Sequence, residues 1–331
     1  MRWLTVILLF GACNIGWAQF QNAHSLSLPA NARAAALGGT VVSMADGDIA
    51  QFFQNPAVLD SVKVSDVSLT YMPLFAGIYG FSGAAGFQLP RVGVLAAGVA
   101  YIDYGDFQRT DDNGDPLGDF QARDLVVTVG KSHQIAGFSL GANLKYVNVG
   151  VDTYQRHMVL MDFGGVYRSP GNVLMAGVLF KNFGWVLSDF ANASNSVPFD
   201  VQVGATIKPE HMPFRFTLTA FGLTQRDTYF QSEQSVSQSK AVERADRLLR
   251  KINIGMELVI HPRIQAIVSY NHLRRQELTL SERAYGAGIS LGFRLGVGKF
   301  DISYAHTTYH AAGGSDFITI QTNLKSFKKL F

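Results

Sequence analysis

Apolar and polar residues alternate along most of the chain, in segments of roughly ten residues. In one segment Phe138 and Leu144 fall on one face, and Asn143 and Lys145 fall on the other. This period of two predicts β-strands with one apolar and one polar face. We count about fourteen such segments, near residues 64–72, 76–88, 93–103, 122–131, 137–149, 155–168, 172–182, 199–208, 213–222, 251–261, 263–272, 283–296, 298–306 and 316–324.

The connections between these segments alternate in length. Short ones such as 261–263 and 296–298 alternate with long ones, although 73–75 is a short exception among the long set. This asymmetry is typical of an outer-membrane barrel, whose long loops lie outside the cell, and closure removes unpaired strand edges. The sequence therefore predicts an all-β, 14-stranded antiparallel transmembrane β-barrel over residues 64–324, with a short periplasmic tail at 325–331. The predicted long loops are 104–121, 183–198, 223–250, 273–282 and 307–315.

The composition agrees with a membrane protein that spans the bilayer with β-strands. Hydrophobic residues make up 47% of the chain, charged residues only 16%, and the mean hydropathy is +0.11. After residue 18, however, no apolar run approaches the ~20 residues of a membrane-spanning helix. The net charge of +3 is too small to indicate nucleic-acid binding.

Residues 1–18 have the pattern of an export signal. Arg2 precedes an apolar stretch, and a small-residue site predicts cleavage after Ala18. Alternatively, processing before Cys13 would leave a lipidated N-terminus. Cleavage after Ala18 removes the only cysteine, which excludes disulfides and cysteine-based sites. An exported chain of this kind is expected in a bacterial outer membrane.

Residues 19–63 precede the strands and are predicted to form a plug that packs within or beneath the barrel mouth. Asn31 is placed to cap a short helix that ends at Gly38 and Gly39. A turn around Asp48 follows, and Asn55-Pro56 restarts a helical turn. We expect both mature ends of the chain in the periplasm.

No catalytic, cofactor or metal site is predicted, and the chain is not expected to be an enzyme. Residues 111–115 resemble a calcium loop, but the required glycine and glutamate are missing, which favours a hairpin tip. The Gly-x-Gly at 286–288 lies inside a predicted strand rather than before a helix, which excludes a dinucleotide site. Charged side chains on the polar faces mark either a permeation path or ion pairs that close the lumen, and they are Lys145, Asp162, Asp200, Arg215, Glu257, Arg294, Lys299 and Asp301.

Several motifs resemble the PorQ family of the type IX secretion system, whose barrels are related to FadL-type transporters. The N-terminal part of the resemblance lies in residues 31–39 and 48–57. It includes Asn31, Arg33, Gly38, Gly39, Asp48, Asn55 and Pro56. Further matches are Phe-x-x-Thr-Asp from Phe107, Asn-Phe-Gly at 182–184 and Met-Pro-Phe-Arg at 212–215.

The resemblance implies a plugged barrel that anchors a cell-surface attachment complex. Its implied partners are a PorZ-like surface protein and a PorU/PorV-like pair, beside outer-membrane lipid. Phe107, Phe190 and Tyr229 on the outer loops are candidate contacts, since aromatic anchors commonly dominate interfaces. The alternative is a FadL-like transporter of hydrophobic small molecules, with an N-terminal hatch and a lateral opening through a kinked strand.

Overall fold

The computed structural model describes residues 24–190, 197–224, 240–278, 286–310 and 313–327. In these ranges fourteen strands pair antiparallel with their sequence neighbours, and β14 pairs with β1 to close the barrel. The predicted fold class is therefore confirmed. The strands are β1 (Asp66–Pro73), β2 (Tyr79–Leu89), β3 (Gly93–Thr110), β4 (Pro116–Ile135), β5 (Phe138–Val151), β6 (Tyr154–Arg168), β7 (Leu174–Ser188), β8 (Asp200–Ile207), β9 (Phe214–Ala220), β10 (Ile252–His261), β11 (Ile264–Asn271), β12 (Ile289–Val297), β13 (Phe300–His310) and β14 (Gly313–Asn323).

The two faces of each strand differ as the alternation predicts. On β5, Phe138 and Leu144 are exposed on the outside, whereas Asn143 and Lys145 are buried inside. The outside is therefore a continuous apolar band, as a bilayer requires. The inside carries the polar side chains, which must find partners there because they are removed from water.

Several strands extend further than predicted into the long-loop side. Residues 104–121 are mostly strand, since β3 and β4 pair up to Thr110↔Pro116. The same correction applies to residues 183–188 of β7, to 307–310 of β13 and to 313–315 of β14. The extensions of β3 and β4 rise above the apolar band, where water wets both faces, so their residues show no alternation.

One predicted strand begins too early. Gly286 and Gly288 have φ of +77° and +81°, a conformation that suits a turn, and β12 begins only at Ile289. The placement of Gly-x-Gly inside a strand is therefore wrong. A strand still follows the glycines rather than a helix, so the context of a dinucleotide site is missing.

Three α-helices lie in the described residues: α1 (Ala32–Ala36), α2 (Lys240–Arg250) and α3 (His272–Glu277). None of the helices among these residues is long and apolar enough to cross a membrane. Helix α1 lies before the first strand, and α2 and α3 lie on the long-loop side, where α2 leads into β10 and α3 follows β11.

The orientation of the barrel gives a first testable prediction. Asp115 lies exposed at the tip of the β3–β4 hairpin, and Arg263 lies exposed in the short turn between β10 and β11. On intact cells an Asp115→Cys variant should react with a membrane-impermeant maleimide, whereas an Arg263→Cys variant should react only after permeabilisation. Labelling of the second variant alone on intact cells would show that the orientation is inverted.

Candidate functional site

The N-terminal segment, residues 24–62, lies inside the barrel. All five residues of α1 are buried, and α1 packs against the inner faces of β11 to β14. The Ala32 amide donates to Thr319 Oγ1 at 2.8 Å. A second turn, Pro56–Ser61, packs against β3 to β6 on the other side of the lumen. The segment therefore contacts opposite walls.

The described part of the segment begins in the outer half of the lumen. The backbone amide and hydroxyl of Ser25 donate to Asp124 Oδ2 at 3.2 and 3.0 Å, and Tyr104 donates to the same oxygen at 3.1 Å. Tyr104 and Asp124 belong to the long-loop halves of β3 and β4. The chain thus enters the described structure in the outer half of the lumen, not at the periplasmic end, and descends to Asp66 at the other end.

One buried arginine joins the segment to the wall. The Arg33 side chain is 1% exposed, and its Nε lies 2.8 Å from Glu257 Oε1 on β10. Its other nitrogens lie 2.6 Å from Asp46 and 3.7 Å from Asp48. Arg215 on β9 bridges Asp46 at 3.0 Å and Glu257 at 2.8 Å. We call these five residues the Arg33 cluster.

The two aspartates of the Arg33 cluster differ in their electrostatics. Burial raises the pKa of Asp46, but the combined attraction of Arg33 and Arg215 outweighs it and holds this pKa far below its usual value. Burial also raises the pKa of Asp48, and there the attraction of Arg33 is too weak to reverse the shift. Asp46 therefore stabilises the fold in its charged form, whereas a charge on Asp48 is costly.

Small residues on the inner wall allow the segment to approach closely. A Cβ on Gly141 of β5 would lie 2.6 Å from Pro56 O, and one on Gly255 of β10 would lie 2.7 Å from Leu37 Cδ2. Both distances are shorter than a carbon contact allows. Asn55 caps its turn by accepting from Ala57 N at 3.0 Å and donates to Val42 O at 2.6 Å. At these levels the segment fills the space beside the wall.

The end of α1 requires glycine. Asn31 caps the helix by accepting from Ala34 N at 2.7 Å, and Gly38 and Gly39 follow with φ of +89° and +93°. A β-branched residue is strained in this region. Arg274 of α3 closes over this bend, with its guanidinium carbon 4.0 Å from the centre of the Tyr309 ring.

An apolar stripe crosses the inner wall in the outer half of the lumen. Ala100, Val126, Val147, Met158 and Val186 are direct cross-strand neighbours on β3 to β7. We call these five residues the apolar stripe. Barrel interiors are usually polar, so five adjacent apolar side chains form a surface that suits an apolar molecule.

Part of the N-terminal segment covers the apolar stripe. Leu26 packs against it with Leu160, and Val197 packs against it from the residues before β8. The Lys181 ammonium donates to the Leu26 carbonyl at 3.0 Å. This lumen surface is thus occupied by a leucine side chain whose backbone is held by single polar contacts.

Within the described residues, the strand pairing of the wall is incomplete beside the end of the apolar stripe. The β7–β8 ladder ends at Lys181↔Asp200, although β7 continues to Ser188 and remains paired with β6. In the described part of the chain, residues 183–188 have no strand partner on the β8 side. Asn182, with φ of +59°, marks the bulge at this point. Val186 lies beyond the last rung of the ladder, so the stripe ends at this gap, which we call the β7–β8 gap.

Six of the eight charged residues predicted to face the lumen form ion pairs with one another, as expected if these charges close the lumen rather than mark a permeation path. Lys145 and Asp162 are 2.5 Å apart, and Arg294 and Asp301 are 3.4 Å apart. Asp200 accepts from Gln202 Nε2 and from the Gly222 amide. Lys299, which was predicted to face the lumen, instead lies exposed in the turn between β12 and β13, over the ring of Phe327 at 4.6 Å from its centre. Together with the Arg33 cluster, these contacts neutralise much of the interior charge.

The structure separates the three candidate contact residues. Phe107 lies on the extension of β3, 41% exposed, and stacks on Phe120 with ring centres 5.3 Å apart. Phe190 follows β7 and is half-buried, and Tyr229 lies outside the described residues. They do not form one cluster in the described structure, and their role in binding stays a prediction.

At the tip of the β3–β4 hairpin, residues 111–115, the carboxylate of Asp111 accepts hydrogen bonds from the backbone of the turn. Asp111 Oδ1 accepts from the amides of Asn113 and Asp115, both at 2.9 Å. This is the hairpin tip that the sequence favours over a calcium loop. Within the described residues no group of three or more His, Cys, Asp or Glu side chains has the arrangement of a metal site.

The apolar stripe and Lys181 were not predicted as a site. A sequence signal existed, because residues 158–161 (Met-Val-Leu-Met) are apolar on both faces of β6. In a barrel strand such a run marks a position where the interior is apolar too. Leu26 lies far from these residues in sequence and gives no comparable signal.

Comparisons with known proteins support the fold and little beyond it. No family model matches the sequence, and no curated protein matches it. The toluene transporter TbuX of Ralstonia pickettii has a similar structure, with a TM-score of 0.51 and 14% identity over 91% of this chain and 100% of that one. At this identity the similarity shows the fold alone, a closed 14-stranded barrel, and not a shared function.

Two further solved structures are similar at lower scores. The deltaS2 mutant of the TodX monoaromatic hydrocarbon channel gives a TM-score of 0.49 at 14% identity, over 88% of this chain and 96% of that one. A Pseudomonas aeruginosa FadL homologue gives 0.48 at 10% identity, over 90% and 98%. These two similarities add nothing beyond the fold. No match tests the PorQ resemblance, which stays a hypothesis.

The contrast between Asp46 and Asp48 gives a second prediction. At pH 7, Asp46→Asn should lower the free energy of unfolding by about 2 kcal/mol, because it removes a charged partner of Arg33. Asp48→Asn should change it little, since asparagine keeps the cap on Ala50 and removes a costly buried charge. Denaturant unfolding in detergent measures both variants.

The pH dependence of the wild type follows from the same shift. Because the pKa of Asp46 is lowered in the folded state, its stabilisation is complete above the unfolded value of about 3.9 and is lost only as pH falls through the folded value. The difference between wild type and Asp46→Asn should therefore persist from pH 7 to pH 5. Equal destabilisation by the two substitutions would contradict the assignment.

Proposed function

We propose that this chain passes small apolar molecules from the outside into the membrane through the side of its wall. The observation that carries the proposal is the apolar stripe that ends at the β7–β8 gap. A molecule that enters from the long-loop side would exchange Leu26 for its own apolar surface and leave beside Val186. Burial of such a molecule is favoured by roughly 25 cal/mol per Å² of apolar surface.

The dimensions of the β7–β8 gap agree with a lateral exit. The β7–β8 ladder contains eight rungs, from Leu174↔Ile207 to Lys181↔Asp200. Eight residues span about 26 Å along a strand, and a tilt of about 45° reduces this to about 19 Å of height. The apolar band of a barrel is about 25 Å tall. The gap therefore begins inside the lipid-facing band, where the outward side chains Trp185 and Leu187 are 60% and 64% exposed.

The lower half of the lumen favours a sideways route over a straight one. The Arg33 cluster and the contacts of Pro56 with the inner wall occupy this half. Breaking a buried ion pair costs several kcal/mol, so a straight passage would require a large rearrangement. A lateral route requires displacement of Leu26 and Val197, which pack against the apolar stripe.

The structural neighbours suggest the class of molecule. The similar structures are described as a toluene transporter and a monoaromatic hydrocarbon channel. At this low identity, no binding residue of those proteins is transferred to this chain. A small aromatic hydrocarbon is nevertheless the right first probe, because its surface is apolar and its size matches a stripe of five side chains.

Uptake by whole cells tests the proposal. The double substitution Val126→Thr/Val147→Thr keeps the side-chain volume but adds two hydroxyl groups to the apolar stripe. In a Gram-negative host without other barrels of this type, uptake of radiolabelled toluene should fall about tenfold. The matched control, Val127→Thr/Val129→Thr, places the same change on the lipid-facing side of β4 and should leave uptake unchanged. Uptake that is equal with and without the protein would overturn the proposal.

A second candidate function is anchoring of a surface protein, with PorZ-like and PorU/PorV-like partners. The observation in its favour is the height of the β3–β4 hairpin. β3 contains 18 residues, whereas a membrane strand needs about 10, so the hairpin projects by roughly 19 Å at a tilt of 45°. Near its tip Phe107 and Leu117 are exposed, and exposed aromatic residues suit a protein contact.

Surface retention separates the two candidates. In the native host, Phe107→Ser/Leu117→Ser should release a bound surface protein into the medium if the hairpin is an anchor, because it removes the exposed apolar contact. Asp119→Ser on the same hairpin is the matched control. If the transporter proposal is correct, neither variant changes surface retention, and both take up toluene normally.

A further inference from the structure

Helix α2 exposes an apolar face on the outer rim of the barrel. Val242, Leu248 and Leu249 are 51%, 67% and 46% exposed. With Ala245, they fall within an arc of about 120° on a helix of 3.6 residues per turn. Isolated exposed leucines are common on protein surfaces, but an apolar arc along about two turns of one helix is a surface that needs a partner.

The contacts of α2 place it beside the lipid-facing wall rather than over the lumen. Asp246 Oδ1 lies 2.7 Å from His272 Nε2, and His272 Nδ1 lies 3.0 Å from the Tyr270 hydroxyl. Tyr270 points outward from β11 and is exposed. Arg250 adds a 2.7 Å contact to Asp246, and the chain enters β10 two residues later. The polar side of α2 is therefore fixed to the outer edge of the barrel.

The apolar band of the barrel begins directly below this helix. At the outer end of β9 to β11, Leu218, Ile254 and Tyr270 are cross-strand neighbours, and all three are exposed on the outside. Lys251 N donates to Leu248 O at 3.1 Å, which keeps the last turn of α2 close to the start of β10. The apolar arc is thus continuous with a surface that faces acyl chains.

The basic residues of α2 add a second requirement: the partner must carry negative charge. The helix contains Lys240, Arg244, Arg247 and Arg250 against Glu243 and Asp246, and Arg244 and Arg247 are exposed. An apolar arc flanked by arginines is the composition of helices that lie in the headgroup layer of anionic membranes. A guanidinium matches the geometry of a phosphate group.

We propose that α2 docks onto phosphate-bearing lipid of the outer leaflet. Leu248, Leu249 and Val242 lie among the upper parts of the acyl chains, and Arg244 and Arg247 contact the phosphate groups. Asp246 and His272 hold the helix at the depth where both contacts form. The inference is independent of the transported molecule and of any protein anchored at the surface.

A fluorescent label at the apolar arc tests the docking. The sequence contains one cysteine, Cys13, so a nitrobenzoxadiazole label is attached to Leu249→Cys in a Cys13→Ser background. The full chain is placed in nanodiscs of phosphatidylglycerol or of phosphatidylcholine, each with doxyl-labelled lipid as quencher. In phosphatidylglycerol the label at 249 should emit at shorter wavelength and be quenched, whereas the same label at Asp115→Cys should not. Heat-modifiable migration of each variant verifies that the barrel is folded.

The arginines supply the control for phosphate recognition. Each basic residue at an anionic surface favours binding by about fivefold, so Arg244→Gln/Arg247→Gln should shift the equilibrium between docked and free helix about 30-fold toward free in phosphatidylglycerol. Arg123→Gln/Lys131→Gln on β4 is the matched loss of two charges away from α2. Equal quenching in both lipids, without any effect of the arginine pair, would overturn the proposal. An unquenched label at 249 would also overturn it and would indicate a protein partner.

Discussion

The fold depends on one constraint, which is that a backbone in lipid must satisfy its own hydrogen bonds. The β1–β14 ladder, from Asp66↔Asn323 to Tyr71↔Ile318, closes the ring and leaves no open edge in the lower wall. Closure of fourteen strands also encloses a volume that the wall side chains alone do not fill. The N-terminal segment occupies part of that volume, from Ser25 beside Asp124 in the outer half to the Arg33 cluster in the lower half. The β7–β8 gap is the place where the described ladder stops short.

The Arg33 cluster shows how the segment is fixed in one arrangement. A buried arginine without partners would cost more than the packing around it contributes, so the carboxylates of Asp46 and Glu257 are as necessary as the cation. Asp46 and Glu257 approach Arg33 from the segment and from the wall. Only one position of the segment brings them together. The apolar contacts of Leu37 and Pro56 contribute buried surface area, and the ion pairs fix the position of the segment along the inner wall.

The wall could be predicted from the sequence because its two faces meet different surroundings. Phe138 and Leu144 alternate with Asn143 and Lys145 because the first pair faces lipid and the second pair faces polar groups inside the barrel. Prediction was wrong where that difference disappears: at residues 104–110, which stand above the lipid, and at Gly286 and Gly288, which form a turn. The caps at Asn31 and Asn55 were predicted because they are local. The apolar stripe was missed because it depends on Leu26, which meets Val126 and Met158 only in the closed barrel.

The position of the N-terminal segment also has a consequence for assembly. Arg33 meets Glu257 across 224 residues of chain, and Ala32 meets Thr319 across 287. The first part of the chain to be made therefore acquires its contacts only after the last strands exist. Such long loops close slowly. Until then helix α1 has no docking surface, and the last strand must pair with β1 around the segment. The N-terminal segment is thus made before the strands but completes its contacts after them.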